Sequence, residues 1–396
     1  NEVNYVTRVF NSPLEIDAAA WNALLTQSPE PTPFMRHEYL AAMHSSASAV
    51  PDTGWTPKFV TLWSEGELQA ACPMYLKAHS YGEYVFDWAW ANAYQQHGLR
   101  YYPKALVAVP FTPVPGSRYL CKNRSLPEYL LREQLLFCER HRVSSLHVLF
   151  GSEGDVSACD SQKLMQRQTV QFHWTNADYR SFDDFLNNLA QDKRKKIRAE
   201  RRKVSEAGVR WRVSVGKEIS AAEWEFFYRC YERTYLEHGN PPYLTPQFFE
   251  AIADTMPENW VMFTAQLGGK DIATSLIAVH AGNTQAAGQK GLKNIAYGRY
   301  WGAMQRVDSL HFEACYYQPL QWCIENGFDS FEGGAQGEHK QARGLLPVVT
   351  PSAHWLAHPQ FADAVARFLE REGAGMSAYV QELESHSPFR PRGLTS

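Results

Sequence analysis

The chain has no apolar run of the ~18 residues that mark a membrane-spanning helix, so no integral membrane segment is expected. It has no P-loop, no Gly-x-Ser-x-Gly elbow and no His-Glu-x-x-His pair. That removes the sequence signatures of P-loop nucleotide hydrolysis, serine hydrolysis and zincin chemistry. The seven cysteines (72, 121, 138, 159, 230, 315 and 323) make no Cys-x-x-Cys pair and no metal-ligand spacing with histidine. No metal site is expected, and an odd, unpatterned set of thiols suits a reduced cytoplasm. Charge bias is absent too. The balance of 39 basic and 42 acidic residues gives −3, with no global pull toward DNA or an anionic surface. There is no signal-peptide pattern, and residue 1 is Asn, which leaves open what precedes it.

What is present is a 396-residue globular composition, 44% hydrophobic and 13% aromatic, long enough for two domains. The boundaries expected are 1–175 and 176–386, with 387–396 a loose tail. Each half runs strand, helices, antiparallel strands, a glycine-bearing turn, a helix and closing strands, which suits duplication; many mixed α/β chains share that rhythm. The stretch 79–90 carries Tyr81 and Asp87 as candidate ligand contacts, or is a half-buried aromatic strand.

Charge of one sign is concentrated in one place. Asp192 to Lys203 holds eight Lys or Arg and two acids, a local +6, so the rest of the chain, at −3 minus 6, carries −9. On a helix over 182–204, Phe182, Phe185, Leu186, Leu189, Ala190, Ile197 and Val204 fall in one arc ~140° wide. Most of the basic residues project elsewhere, and Lys193, Lys195, Lys196, Arg198 and Arg202 are candidate phosphate or polyanion contacts. A solvated surface helix is the competing reading.

The chemistry-bearing stretch is Tyr297 to Pro347. Tyr297-Gly298-Arg299-Tyr300-Trp301-Gly302 reads as a turn, with Arg299, Tyr300 and Trp301 suited to stacking or anion binding. A helix over 308–326 is apolar nearly all round and carries His311, Glu313 and Tyr316. Pro319 should kink it and free the carbonyl of Cys315. Glu313 is a desolvated base candidate, or a structural carboxylate paired to Arg299. Next comes Glu332 at a strand end, then Gly333, Gly334, Gln336, Gly337, Glu338, His339 and Lys340. Glycines admit a ligand close to backbone amides, while Glu332, Glu338 and His339 offer acid–base groups and Lys340 a cation. A tight turn with solvated charges would look similar.

Across these residues the sequence resembles the predicted N-acyltransferase family of peptidoglycan biosynthesis/recognition proteins, FemAB-like members of the GNAT superfamily. The pieces run in order: HSYGEYVFDWAWANAY at 79–94, YYPKALVAVPFTPVPG at 101–116, SFDDFLNNLAQDKRKKIRAERRKV at 181–204, YGRYWGA at 297–303, HFEACYYQ at 311–318 and EGGAQGEHKQARGLLPV at 332–348. The resemblance implies an α/β (α+β) fold of two tandem GNAT-like domains, each a mixed, largely antiparallel sheet flanked by helices. It implies transfer of an acyl or aminoacyl group to an amine, in peptidoglycan precursor metabolism. No tightly bound cofactor is expected, and acyl-CoA or aminoacyl-tRNA would be the co-substrate. Partners would be a small molecule or peptidoglycan precursor, with transfer RNA and peripheral membrane contact as further candidates. The alternative is a non-catalytic binding protein on the same scaffold, recognising a peptidoglycan fragment or nucleotide. Two departures are visible. Arg299 to Met304 matches the coenzyme A signature only in part, and Ala286 to Asn294 lengthens a hairpin.

Overall fold

The computed structural model describes residues 3–282, 293–335 and 337–391. They form two compact units. The first holds the chain up to Thr169, with Tyr243–Ile252 and Val349–Ala378; the second holds Val170–Pro242, Ala253–Val348 and the chain from Tyr379 on. Two of those segments, 243–252 and 349–378, were expected inside the second domain and cluster with the first.

The first unit has two sheets. One runs, in order, Val6–Phe10, Phe59–Ser64, Glu67–Ala71 and Leu120–Cys121, all antiparallel. In the other, Trp55–Pro57, Met74–Lys77 and Lys104–Val107 pair antiparallel, and Lys104–Val107 then pairs parallel with Ser145–Leu149. Helix Leu126–Arg140 makes the crossover that this parallel step requires. Residues 352–356 close the sheet antiparallel to Ser145–Leu149. Its core packs Val60, Leu62, Leu130, Leu131, Leu146 and Val148 from strands and helix together.

The second unit repeats this plan. Arg210–Val215, Trp260–Leu267, Lys270–His280 and Ile295–Ala303 pair antiparallel in that order. Ile295–Ala303 then pairs parallel with Ser330–Glu332, after a helical crossover over 310–325. Residues 173–175 close the sheet antiparallel to Ser330–Glu332. So both units share antiparallel strands, a helical crossover to a parallel strand and a closing strand distant in sequence, although the first divides its strands between two sheets. Among the described residues no helix is long and apolar enough to cross a membrane.

Several expected elements differ from those observed. The single helix over 182–204 is two, Phe182–Asn187 and Gln191–Glu206. The break has a cause: Leu189 bridges to Phe389, and the Ala190 N–H donates to the Pro388 carbonyl at 2.8 Å. The same contacts hold part of the stretch expected to be a loose tail, because Arg390 N–H also donates to Asn188 O at 2.9 Å. In the apolar run 101–111 only Lys104–Val107 is a strand, since Pro103 and Pro110 cannot donate to a ladder. The aromatic stretch 79–90 is not a strand but a loop entering helix Trp88–Gln96.

Candidate active site in the second unit

Strand Ile295–Ala303 pairs with Ser330–Glu332 only through Ile295, Ala296 and Tyr297. Beyond Tyr297 the two strands separate. On its other edge the strand bulges: Leu276 faces Tyr300 while Ile277 faces Gly298, so Arg299 is the extra residue. This is the segment expected to be a turn. Its glycines serve close approach instead. At Gly298 an added Cβ would lie 3.0 Å from the Phe331 ring, and at Gly302 it would run into the backbone of Cys230 on helix Ala221–Glu237. Gly302, the glycine of the partial coenzyme A signature, is thus already required by helix–strand packing.

The divergence opens a cavity of about 180 Å³. Gly298, Arg299, Tyr300 and Trp301 form one wall, with Phe331 and Gly333 opposite, and His311, Cys315 and Tyr316 cover it. A second cavity of about 480 Å³, lined by Arg233, Glu237 and the loop 304–309, shares Trp301 and His311 with the first.

The covering helix is interrupted as Pro319 requires. Leu310–Phe312 passes into a π turn, Glu313–Tyr317, then into Gln318–Glu325. Pro319 has no N–H for Cys315, and the Gln318 N–H reaches back five residues to Glu313. The Ala314 carbonyl, left without its usual helical partner, accepts from Ser275 Oγ at 2.6 Å. The turn thereby directs Cys315 and Tyr316 toward the cavity.

His311 stands at the mouth with its ring 5.3 Å from Trp301 and 6.1 Å from Tyr316. Crowding by these groups, then the positive charges nearby, holds its pKa down at about 4 although one side stays solvent-accessible. It is a neutral imidazole at physiological pH, able to accept a proton. The Tyr316 hydroxyl lies 3.4 Å from His339 Nε2, and burial keeps it protonated. Lys340 is buried, with its ammonium on the Ala335 carbonyl at 2.5 Å, and burial lowers its pKa to about 8.

Other nominated residues lie elsewhere. Glu313 faces away from the cavity: Arg201, not Arg299, binds both its oxygens at 3.0 and 3.1 Å. Burial raises its pKa against the pull of Arg201. Glu332 is not in the cavity lining; its Oε1 is 3.5 Å from His173 Nε2. The Gly333 N–H is committed to the Phe172 carbonyl at 2.8 Å and so is not offered to a ligand, while the Gly334 carbonyl accepts from Phe172 N at 3.1 Å. Gly337 accepts from Lys340 N–H. Gln336, the Glu338 side chain and most of the lengthened hairpin 286–294 lie outside the described residues. Tyr81 and Asp87 belong to the first unit, Tyr81 exposed and Asp87 buried. On the basic helix, Lys195, Lys196, Arg198 and Arg202 are exposed and Lys193 half-buried, while Ile197 and Val204 anchor the inner face.

Two residues that were not nominated tie this unit together. Arg343 is 3% exposed and binds Glu200 of the basic helix, the Tyr317 hydroxyl and the His339 carbonyl, at 2.8–3.1 Å. Its guanidinium lies 3.6 Å from the Phe312 ring centroid. Tyr317 donates in turn to Glu200. The only sequence signal was an acid at an inward position of a basic run.

His173 gives a pH dependence. Burial holds its pKa at about 4, below the ordinary 6.5. Between those values the unfolded chain takes up a proton that the folded chain refuses, so stability falls as pH drops from 6.5 to 4. His173→Gln should flatten that limb in urea titrations at stepped pH; an unchanged slope would contradict the assignment.

The family described as peptidoglycan biosynthesis/recognition, FemAB-like, matches residues 12–391. No curated protein matches the sequence. The crystal structure of FemX superposes with a TM-score of 0.51 at 11% identity, over 89% of this chain and 98% of that one. L-PGS from Bacillus licheniformis superposes at 0.52 and 10% identity, over 89% and 97%. At these identities the likeness is one of fold, and the expected α/β class of two tandem GNAT-like domains stands.

Proposed function

Because the chain belongs to the FemAB-like peptidoglycan biosynthesis/recognition family, we propose that it is an acyl- or aminoacyltransferase that acylates an amine of a peptidoglycan precursor. The observation that carries this reading is the cavity opened where strand Ile295–Ala303 leaves its parallel neighbour, covered by His311 and Tyr316. An acyl group in it would lie against an open strand edge able to hydrogen-bond its carbonyl oxygen. The acceptor amine attacks that carbon; the new C–N bond forms as the bond to the leaving oxygen or sulfur breaks. His311 takes the proton that the amine releases, and the Tyr316 hydroxyl protonates the leaving group, backed by His339. The adjoining cavity of about 480 Å³ gives the rest of the donor room, with Arg233 and Glu237 as polar contacts. Acyl-CoA and aminoacyl-tRNA are the donor classes to compare. The exposed basic residues of Gln191–Glu206 would hold the donor's phosphates.

Incubation with either donor class and a muropeptide amine, followed by mass spectrometry, should show the acylated product. Saturable binding with no product from either donor would favour the non-catalytic reading. Reversing Lys195, Arg198 and Arg202 to Glu should weaken donor binding about 100-fold, from about 1 kcal/mol per lost phosphate contact. Unchanged affinity in a binding titration would remove the basic helix from the donor site.

A further inference from the structure

Loop 79–88 of the first unit has its polarity inverted. Glu83, Val85 and Asp87 point inward and are buried; Tyr81, Tyr84, Phe86 and Trp88 point outward and are exposed. The two carboxylates are fixed from below. Glu83 binds Lys77 at 3.1 Å and Lys104 at 2.6 Å, and Asp87 binds Lys104 at 2.6 Å. Burial, then the lysine ammoniums beside it, lowers the pKa of His79, so this imidazole is neutral. The loop therefore shows solvent no formal charge, only rings. Phe86, 62% exposed, has no polar atom with which to hydrogen-bond a sugar or peptide. The Tyr81 and Trp88 rings meet at 61°, forming a wedge instead of the flat platform on which a sugar ring stacks.

A second feature adjoins it. Helix Trp88–Gln96 continues from the loop and, with Pro359–Ser385, borders an apolar groove of about 330 Å³. Trp90, Ala93, Phe361, Val365 and Phe368 line it, with His97 and Gln360 as its polar members. Arg167 sits beside both, donating to the Phe86 carbonyl at 2.7 Å with its guanidinium 5.2 Å from the Trp90 ring centroid. Its charge is balanced by Glu372.

The geometry points to a lipid-bilayer surface as the occupant. Phe86 and the flanking Tyr and Trp rings enter the headgroup–acyl boundary, where an uncharged aromatic face is favoured and a carboxylate is penalised. The groove takes part of a lipid acyl chain. This assignment does not depend on acyl transfer, because its readout is binding.

The test is co-sedimentation of the full chain with phosphatidylcholine vesicles and with vesicles of equal phosphatidylcholine and phosphatidylglycerol. The unaltered protein should partition onto vesicles, and its tryptophan fluorescence should be quenched by lipids brominated near the headgroup end of the chain. Phe86→Ser with Trp88→Ser should reduce partitioning about tenfold or more, from the apolar area no longer buried. A thermal melt checks that the variant folds, and the quenching measurement needs no variant at all. The proposal fails if the unaltered protein neither sediments nor is quenched, or if the folded variant partitions equally. It fails also if the patch instead binds soluble muropeptide, or if the variant abolishes a dimer seen by ultracentrifugation without changing vesicle binding.

Discussion

Glu83→Gln should lower the unfolding free energy by about 3–5 kcal/mol, the cost of leaving buried charge uncompensated. Lys77 and Lys104 stand directly opposite each other on adjacent strands, and the side chains of both are at most 1% exposed. Like charges in that register repel. Glu83 lies between them and binds both. Beyond Glu83 the Lys77 ammonium meets carbonyls, the His79 ring and the Trp55 face 4.0 Å away, none of them a carboxylate, and burial already lowers its pKa to about 8 despite Glu83. Asp87 stays with Lys104, held down at about 2 although burial alone would raise it. Urea denaturation would measure the loss. Adding Lys77→Met to Glu83→Gln removes the orphaned ammonium and should recover most of it. A single variant as stable as the parent, or a double variant no better than the single, would contradict this account.

His311→Ala should reduce acyl transfer by about 10²-fold, the low end of what a positioned general base contributes, because a pKa of about 4 makes this imidazole a weak base. The effect should fall on kcat with little change in donor binding, because Trp301, Tyr300 and the open strand edge remain. Tyr316→Phe should lower the rate as well, less for donors whose leaving group is a good one. Single-turnover rates with a fixed donor separate these outcomes. Undiminished turnover in His311→Ala would take proton removal away from this side chain.

Much of this architecture is written in local patterns. Alternating and β-branched runs mark Trp260–Leu267 and Lys270–His280, and the break at Pro319 follows from a missing N–H. The composition of 297–347 marks it as the candidate stretch, yet not the division of labour within it. His311 and Glu313 stand two residues apart on one helix, but nothing local says that Glu313 turns to Arg201 while His311 faces the cavity. Gly298 and Gly302 read as turn glycines because the sequence does not show the Phe331 ring or the Cys230 backbone that press on them. Glu200 and Arg343 are 143 positions apart, and their pairing exists only after the second unit closes. The same limit hid loop 79–88, where an acid-and-aromatic alternation looks like a surface strand until Lys77 and Lys104 are placed beneath it.

The interleaving of the two units bears on synthesis. The strand that closes the first unit's sheet against Ser145–Leu149 is drawn from 352–356, some 200 residues downstream. A ribosome releasing this chain therefore exposes an unfinished sheet edge at Ser145–Leu149 until residues 352–356 have been made. The second unit has its closing strand, 173–175, in hand before its own sheet begins. Late long-range closure of this kind slows folding and leaves a nascent edge open to misplaced partners. Truncations ending before residue 345 are thus expected to be clients of chaperones, whereas chains that include 352–356 are not.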